Sequence, residues 1–461
     1  MSKPLRMRNF PPHLSLARLL FATTALAGLA MTGSALAQDA SQSDSETTVL
    51  PTVLIQGSTY ETETTNSYTT DLISVGDKDT RPLREIPQST TVLTRERLRD
   101  GNYTSLDTAL KETPGVVVLT NDDGPSSLYS RGFEFDNLYL NGLPTPVSSI
   151  NGTQPDMVTV DHVEILRGPS GLFGGTGEPS GAINMRLKQA SDEYKASVDT
   201  IVGSFDNRRI EGDITGPLVE SGEVRGRLVG AYGTKGSFID NVDNKVGVIY
   251  GTLQADVTDN TTATVSISHH ERDITPFNGL PTLSDGTLLN LDRSTFTGAD
   301  WNYFDNNVTN YIAEIEHRFD DGGHAKISAL YSHVDVLYAY AAGAANSAGV
   351  VTSGTRWLAR DYTEDSFALD AHVSRPFELF GVENNLIAGV DYRGTDSTLY
   401  TATGVISGAQ SLYNWNTHLA RPTVTYGAPT ETQSRQGGIY GQWRIKPVDK
   451  LTLIAGGRFS W

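Results

Sequence analysis

The residues whose types most readily suggest chemistry are His269-His270-Glu271, the acid pair Asp122-Asp123 and a glycine-rich run from Gly168 to Gly181. A zinc site needs three or four converging ligands, and adjacent residues on a strand point to opposite faces. His269 and His270 therefore read as surface or lumen histidines, and Asp122-Asp123 as a solvated loop tip. The chain has no Cys, which removes thiol chemistry, disulfides and cysteine metal sites. No Ser/His/Asp order is recognisable, so nothing in the sequence supports catalysis. The glycines at 168, 171, 174, 175, 177 and 181 permit repeated positive φ and close backbone approach. No Lys follows them as a phosphate-binding P-loop requires. Gly175-x-Gly177 leads to Ser180 where a dinucleotide fingerprint has its third glycine, and Pro179 spoils the helix. Taken alone, the run is a turn-rich loop between strands.

Four motifs stand around that loop in a fixed order. They are IPQSTTVLTRERLRD (Ile86–Asp100), LDTALKETPGVVV (Leu106–Val118), YSRGFEFDNLYLNGLP (Tyr129–Pro144) and VEILRGPSGLFGGTGEPSGAIN (Val163–Asn184). Together they resemble the plug domain of TonB-dependent outer-membrane receptors, in particular the ferric-siderophore branch. His162 stands where that family usually has Arg, and Lys188-Gln189-Ala190 replaces the usual basic-Pro exit. Neither departure touches the glycine framework of Arg167, Gly168, Gly174, Gly177 and Gly181, which the resemblance makes plug structure.

The resemblance implies a mainly β protein, a transmembrane antiparallel β-barrel of the 22-stranded kind with an N-terminal α+β plug. It implies active uptake of a ferric siderophore, with iron carried only as the ligand and no cofactor. LPTVLIQG resembles a TonB box, so Leu50, Pro51, Thr52, Val53, Leu54 and Ile55 are expected to meet TonB. An exposed strand of this kind adds to a partner's sheet edge by backbone hydrogen bonds. Ser127, Tyr129 and Arg131 on the plug and Trp301, Tyr340 and Trp357 on the loops are the expected siderophore contacts. Tyr and Trp give rigid area with a polar tip, and Arg forks onto an anionic chelate. Arg131, inside SRGF, has a competing and more strongly weighted role as a plug brace. The loop aromatics have an alternative role as membrane-interface girdle. Haem, cobalamin or a glycan is the alternative cargo. A passive porin would have no plug, and a soluble binding module would lack the long alternating strands.

The elements that position these residues follow from patterning. A basic start (Lys3, Arg6, Arg8, Arg18), the apolar Leu19–Ala30 and Ala35-Leu36-Ala37 form a signal peptide over 1–37. Its loss takes the formal charge from −18 to −22, an acidic balance with no basic stripe for nucleic acid. Residues 38–79 read as a flexible periplasmic tail, too short for an added signalling domain, and 80–188 as the plug. LDTALKETPG reads as a short amphipathic helix ended by Thr113-Pro114-Gly115, with loop tips at Asn121–Ser130 and Gly142–Met157. From 189 to 461 about eleven alternating segments separated by tight turns and long connections are the signature of an outer-membrane barrel. Asp273–Val308 and Leu337–Thr363 are the expected extracellular loops. Eleven strands are half of 22, so the sequence reads as the N-terminal part of a receptor. An open half-barrel would leave unpaired edges in lipid.

Overall fold

The computed structural model describes residues 61–461 except 121–123, 136, 147–150, 153, 170, 176–178, 284, 344–348, 352–353 and 449. The signal sequence, Leu50–Ile55, Asp122-Asp123 and Gly177 lie outside the described residues.

The centre of the plug is the strand Val160–Arg167, buried along its whole length. Ser89–Leu93 pairs with it antiparallel on one side and Gly181–Leu187 on the other. Gly181–Leu187 in turn runs parallel to Asn137–Leu140, which hairpins into Leu143–Pro146. A second small sheet joins Val117–Thr120, Ser126–Ser130 and Phe133–Glu134. Two short helices flank the sheets, Arg95–Asp100, N-capped by the Thr94 hydroxyl, and Leu106–Lys111. Leu98, Leu106 and Leu110 from the helices pack with Leu128, Phe135, Val163, Ile165, Ile183 and Met185 from the sheets. Each such side chain stabilises by about 1.5–3 kcal/mol on leaving water. The glycine framework is a steric necessity at Gly181. Its φ is +132°, and an added Cβ would lie 1.9 Å from the Leu166 carbonyl oxygen.

Eleven antiparallel strands then follow in sequence order, each paired to the next, from Lys195–Gly203 to Leu451–Ser460. One face is apolar. Leu228, Gly251, Ile267, Tyr311, Tyr331 and Phe367 are successive cross-strand partners, and all but the glycine are exposed large hydrophobics. The neighbouring row, Arg227, Thr252, Ser266 and Ile312, is buried against the plug side or beneath it. Period-two alternation with an apolar outside is what a lipid-facing barrel wall requires. Turns at 259–260 and 380–381 are tight, and the connections 275–302 and 407–429 are long. Short turns mark the periplasmic end and long loops the extracellular end.

Three expectations are corrected. Residues 61–79, read as part of a flexible tail, are packed: Thr62 and Ile73 are buried, and Leu72–Ile73 pairs with Arg81–Pro82. Their polar composition hides anchoring to acids 90 and 99 residues away. The loop tips are shorter than expected, because Ser126–Ser130 and Leu143–Pro146 are strands and Met157–Thr159 is a 3-10 turn. The extracellular connections also start later and end earlier than Asp273–Val308 and Leu337–Thr363. Strands such as Thr355–Leu379 and Val382–Ile406, of 25 residues each, run far past the 9–11 residues that cross a membrane.

Candidate functional site: the plug and its seat in the barrel wall

The Val160–Arg167 strand carries Asp161, His162, Glu164 and Arg167, all buried. Buried charge is tolerated only where hydrogen bonds replace water, and here the first described residues supply them. Asp161 accepts from the backbone N–H of Thr62 at 2.9 Å and of Glu63 at 2.8 Å. Glu164 accepts from Ser74 N–H at 2.7 Å, Ser74 Oγ at 3.0 Å, Val75 N–H at 3.1 Å and Asn184 Nδ2 at 2.7 Å. His162 lies between the acids, 2.5 Å from Asp161 and 3.6 Å from Glu164. Burial opposes ionisation of Glu164, but the hydrogen bond and charge of His162, with the charge of Arg186, outweigh it and hold the carboxyl at about 2. Burial likewise works against a charged His162, and the two carboxylates overcome it and raise its pKa.

The plug is seated on the wall by charge-assisted pairs. Asp156, which caps the turn at Val158, receives Arg209 in a fork at 3.0 and 2.8 Å. Their side chains are only 2% and 5% exposed. Arg227 forks onto Glu63 at 2.7 Å twice and also onto Asp213. Nearer the periplasmic end, Asp77 meets Arg444 and Gln442, Lys78 meets Asp370 at 2.8 Å, and Arg81 meets Asn385 at 2.8 Å. Among the described residues no group of three or more His, Cys, Asp or Glu is arranged to hold a metal ion. His269 bonds Thr309 on the outer face, while His270 is buried on the inner one.

Toward the extracellular end the inner wall is aromatic. Phe304 stacks on Tyr338 at 5.1 Å and Tyr338 on Tyr340 at 6.1 Å. Arg360 donates to the Tyr338 hydroxyl at 2.8 Å, and Ile274, Val336 and Tyr362 complete the cluster. The plug reaches this wall through Asn151, whose carbonyl accepts from Asn306 Nδ2 at 3.2 Å and whose Oδ1 accepts from the Tyr338 hydroxyl at 3.4 Å. A mainly apolar cavity of about 110 Å³ continues below, where Leu140, Met185, Val308 and Val334 line it together with Asn151 and Glu364.

The predicted contacts separate on this frame. Tyr340 belongs to the inner aromatic wall. Trp357 does not: its cross-strand partner is Ala341, one residue on, so it lies on the opposite face of the sheet. There it packs with Trp301, Tyr303 and Ala359 beneath Val424 and Tyr426 of the third loop. Trp301 donates its indole N–H to Leu419 O at 3.0 Å. Trp301 and Trp357 thus anchor a loop, and neither Tyr340 nor Trp357 is a loop residue at all. Ser127 and Tyr129 are half-buried on one face of their strand, beside exposed Val117 and Leu119. Arg131 takes φ +55° and sets its guanidinium where a Cβ on Gly168 would be 2.7 Å away. Arg167 donates to Thr91 at 2.9 Å, and Gly174 ends the single helical turn Gly171–Gly174, whose Phe173 meets Tyr440 edge-on. Sequence reasoning missed Asn151, Arg360 and Tyr362, and passed over Asp156, Asp161 and Glu164. Charged residues inside a β-rich run were the available signal for the acids.

The family description "TonB-dependent receptor plug domain" matches residues 82–182, and "TonB dependent receptor-like, beta-barrel" matches residues 240–461. The chain is 33% identical over 417 residues to the ferric-pyoverdine M114 receptor of Pseudomonas sp. (strain M114), covering 87% of this chain and 50% of that one. It is 35% identical over 418 residues to the ferric-pyoverdine BN7/BN8 receptor of Pseudomonas putida, covering 87% and 51%. Among solved structures, the ferripyoverdine receptor of the outer membrane of Pseudomonas aeruginosa bound to ferripyoverdine superposes with a TM-score of 0.82 at 29% identity, covering 87% of this chain and 55% of that one. The chain spans about half the length of the curated relatives it matches.

Proposed function

Because the chain belongs to the TonB-dependent receptor family, we propose that it serves the energised uptake of a ferric siderophore across the outer membrane of a Gram-negative bacterium. The observation that carries this reading is the seated plug. Asp156–Arg209 and Asp77–Arg444 are buried on both partners, so the plug is a fixed gate, where a porin has an open lumen. Cargo settles against the inner aromatic wall at Tyr340 and Arg360 and on the plug at Ser127 and Tyr129. Aromatic area and a guanidinium suit a flat, anionic chelate. Iron arrives only as that cargo, with no resident cofactor and no catalytic step. Residues 1–37 are removed on export, Leu50–Ile55 of the tail engage TonB, and residues 80–188 and 189–461 are the plug and the barrel portion, the latter facing outer-membrane lipid.

The test is uptake of radioactive iron, supplied as ferric pyoverdine and as ferrioxamine B, by a Gram-negative host stripped of its own siderophore receptors and expressing this protein. Uptake that disappears when TonB is deleted is the expected result. No uptake of either chelate, with haem or cobalamin taken up instead, overturns the cargo. Uptake indifferent to TonB overturns the mechanism.

A further inference from the structure

We propose that residues 62–75 are a strap that peels from the plug in two stages, with Asp161 and Glu164 as separate catches. The first catch holds Thr62 and Glu63 by their backbone N–H groups on Asp161. Glu63 is at the same time forked by Arg227 of the barrel wall, so one residue is tied to plug and wall together. The second catch holds Ser74 and Val75 on Glu164. Between them the strap is loosely held: Thr64, Thr65, Asn66, Tyr68 and Thr69 are exposed. Its tethers there are the Ser67 carbonyl to Thr94 Oγ at 2.6 Å and the Tyr68 hydroxyl to Asp100, before the Asp71 carbonyl takes the Leu83 N–H and Leu72–Ile73 pairs with Arg81–Pro82. Beyond Val75 the chain is clamped to the wall through Asp77, Lys78 and Arg81, which sets the natural stop.

The consequence is a stepped control of reach. An extended chain spans at most about 3.3–3.6 Å per residue. Opening the Asp161 catch while Glu164 holds frees the residues from Thr62 to Thr70, which adds roughly 30 Å to whatever precedes them. The first catch also lies on the segment that touches the cargo side. Asn151 against Tyr338, Asp156 against Arg209, and Asp161 against Thr62 follow one another within ten residues. A shift of Asn151 therefore acts on Asp161 along one short segment of chain, whereas Glu164 sits deeper in the sheet, bonded across to Asn184.

Hydrogen exchange read by mass spectrometry on the detergent-purified protein tests this without any cargo, so failure of the uptake reading leaves the result interpretable. Asp161→Asn should speed exchange of the peptide 61–71 by about tenfold or more while 72–76 stays protected, because each catch opens separately. Glu164→Gln should expose 72–76. Glu63→Gln, which keeps the backbone bonds and loses the fork, should give a smaller rise in 61–71 alone. Amides of Tyr311–Ala313 in the wall serve as the folding control. Release of both peptides together in Asp161→Asn, with the wall intact, would show one cooperative unit and overturn the two stages. Unchanged exchange of 61–71 in Asp161→Asn would overturn the first catch.

Discussion

The seating of the plug makes its sharpest energetic claim at Asp156 and Arg209. Both side chains are nearly sealed, at 2% and 5% exposure, and two hydrogen bonds of 3.0 and 2.8 Å join them. Burial resists ionisation of Asp156, and the Arg209 charge more than compensates, holding its pKa below the usual carboxylate range. Removing one member of such a pair strands the other charge and costs about 3–5 kcal/mol, whereas removing both costs far less. Asp156→Asn keeps an oxygen for the Val158 cap, so its loss falls mainly on the pair. A cost of 3 kcal/mol is roughly a hundredfold or more in an opening equilibrium. We expect exchange of the plug strands Val160–Arg167 and Gly181–Leu187 to rise by about that factor in Asp156→Asn. Arg209→Met should do at least as much, since Glu211 at 2.6 Å loses its partner too. The double variant should fall short of the product of the singles by at least about thirtyfold, which is the coupling of a pair in contact. If the two effects multiply to within about threefold, the pair contributes no coupling and the electrostatic seat is wrong.

Other outcomes follow from the same geometry. Gly181→Ala, forced to place a Cβ 1.9 Å from Leu166 O at φ +132°, should abolish a protease-resistant plug, which limited proteolysis reads directly. Trp301→Phe should remove one hydrogen bond, about 1 kcal/mol, and speed cleavage within 407–429 severalfold without changing cargo affinity. Tyr340→Ala should do the reverse, weakening chelate binding in a fluorescence-quenching titration while the loop stays resistant. Plug protection should depend on pH from both sides. Glu164, lowered from 4.5 to about 2, contributes stability that is full above 4.5 and lost as pH falls toward 2. His162, raised from 6.5, contributes stability that is full below 6.5 and lost as pH climbs through its raised value. Protection of the plug strands, taken relative to intrinsic exchange at each pH, should therefore be greatest between about 4.5 and 6.5, and Glu164→Gln should flatten the acid limb.

The sequence by itself determined the plug motifs, their order and the eleven alternating strands, because period-two patterning and glycine placement are local properties. Gly181 is legible in this way: only a residue without Cβ fits beside the Leu166 carbonyl. The tertiary structure decided what depends on partners distant in the chain. Residues 61–79 look like solvated tail because their composition is polar, yet they are fixed by Asp161 and Glu164, 99 and 90 positions on from Thr62 and Ser74. Trp357 and Tyr340 both look like binding aromatics, and register alone separates them. In an antiparallel pair a shift of one residue moves a side chain to the other face, so Tyr340 opposite Leu358 faces the lumen while Trp357 opposite Ala341 props a loop outside.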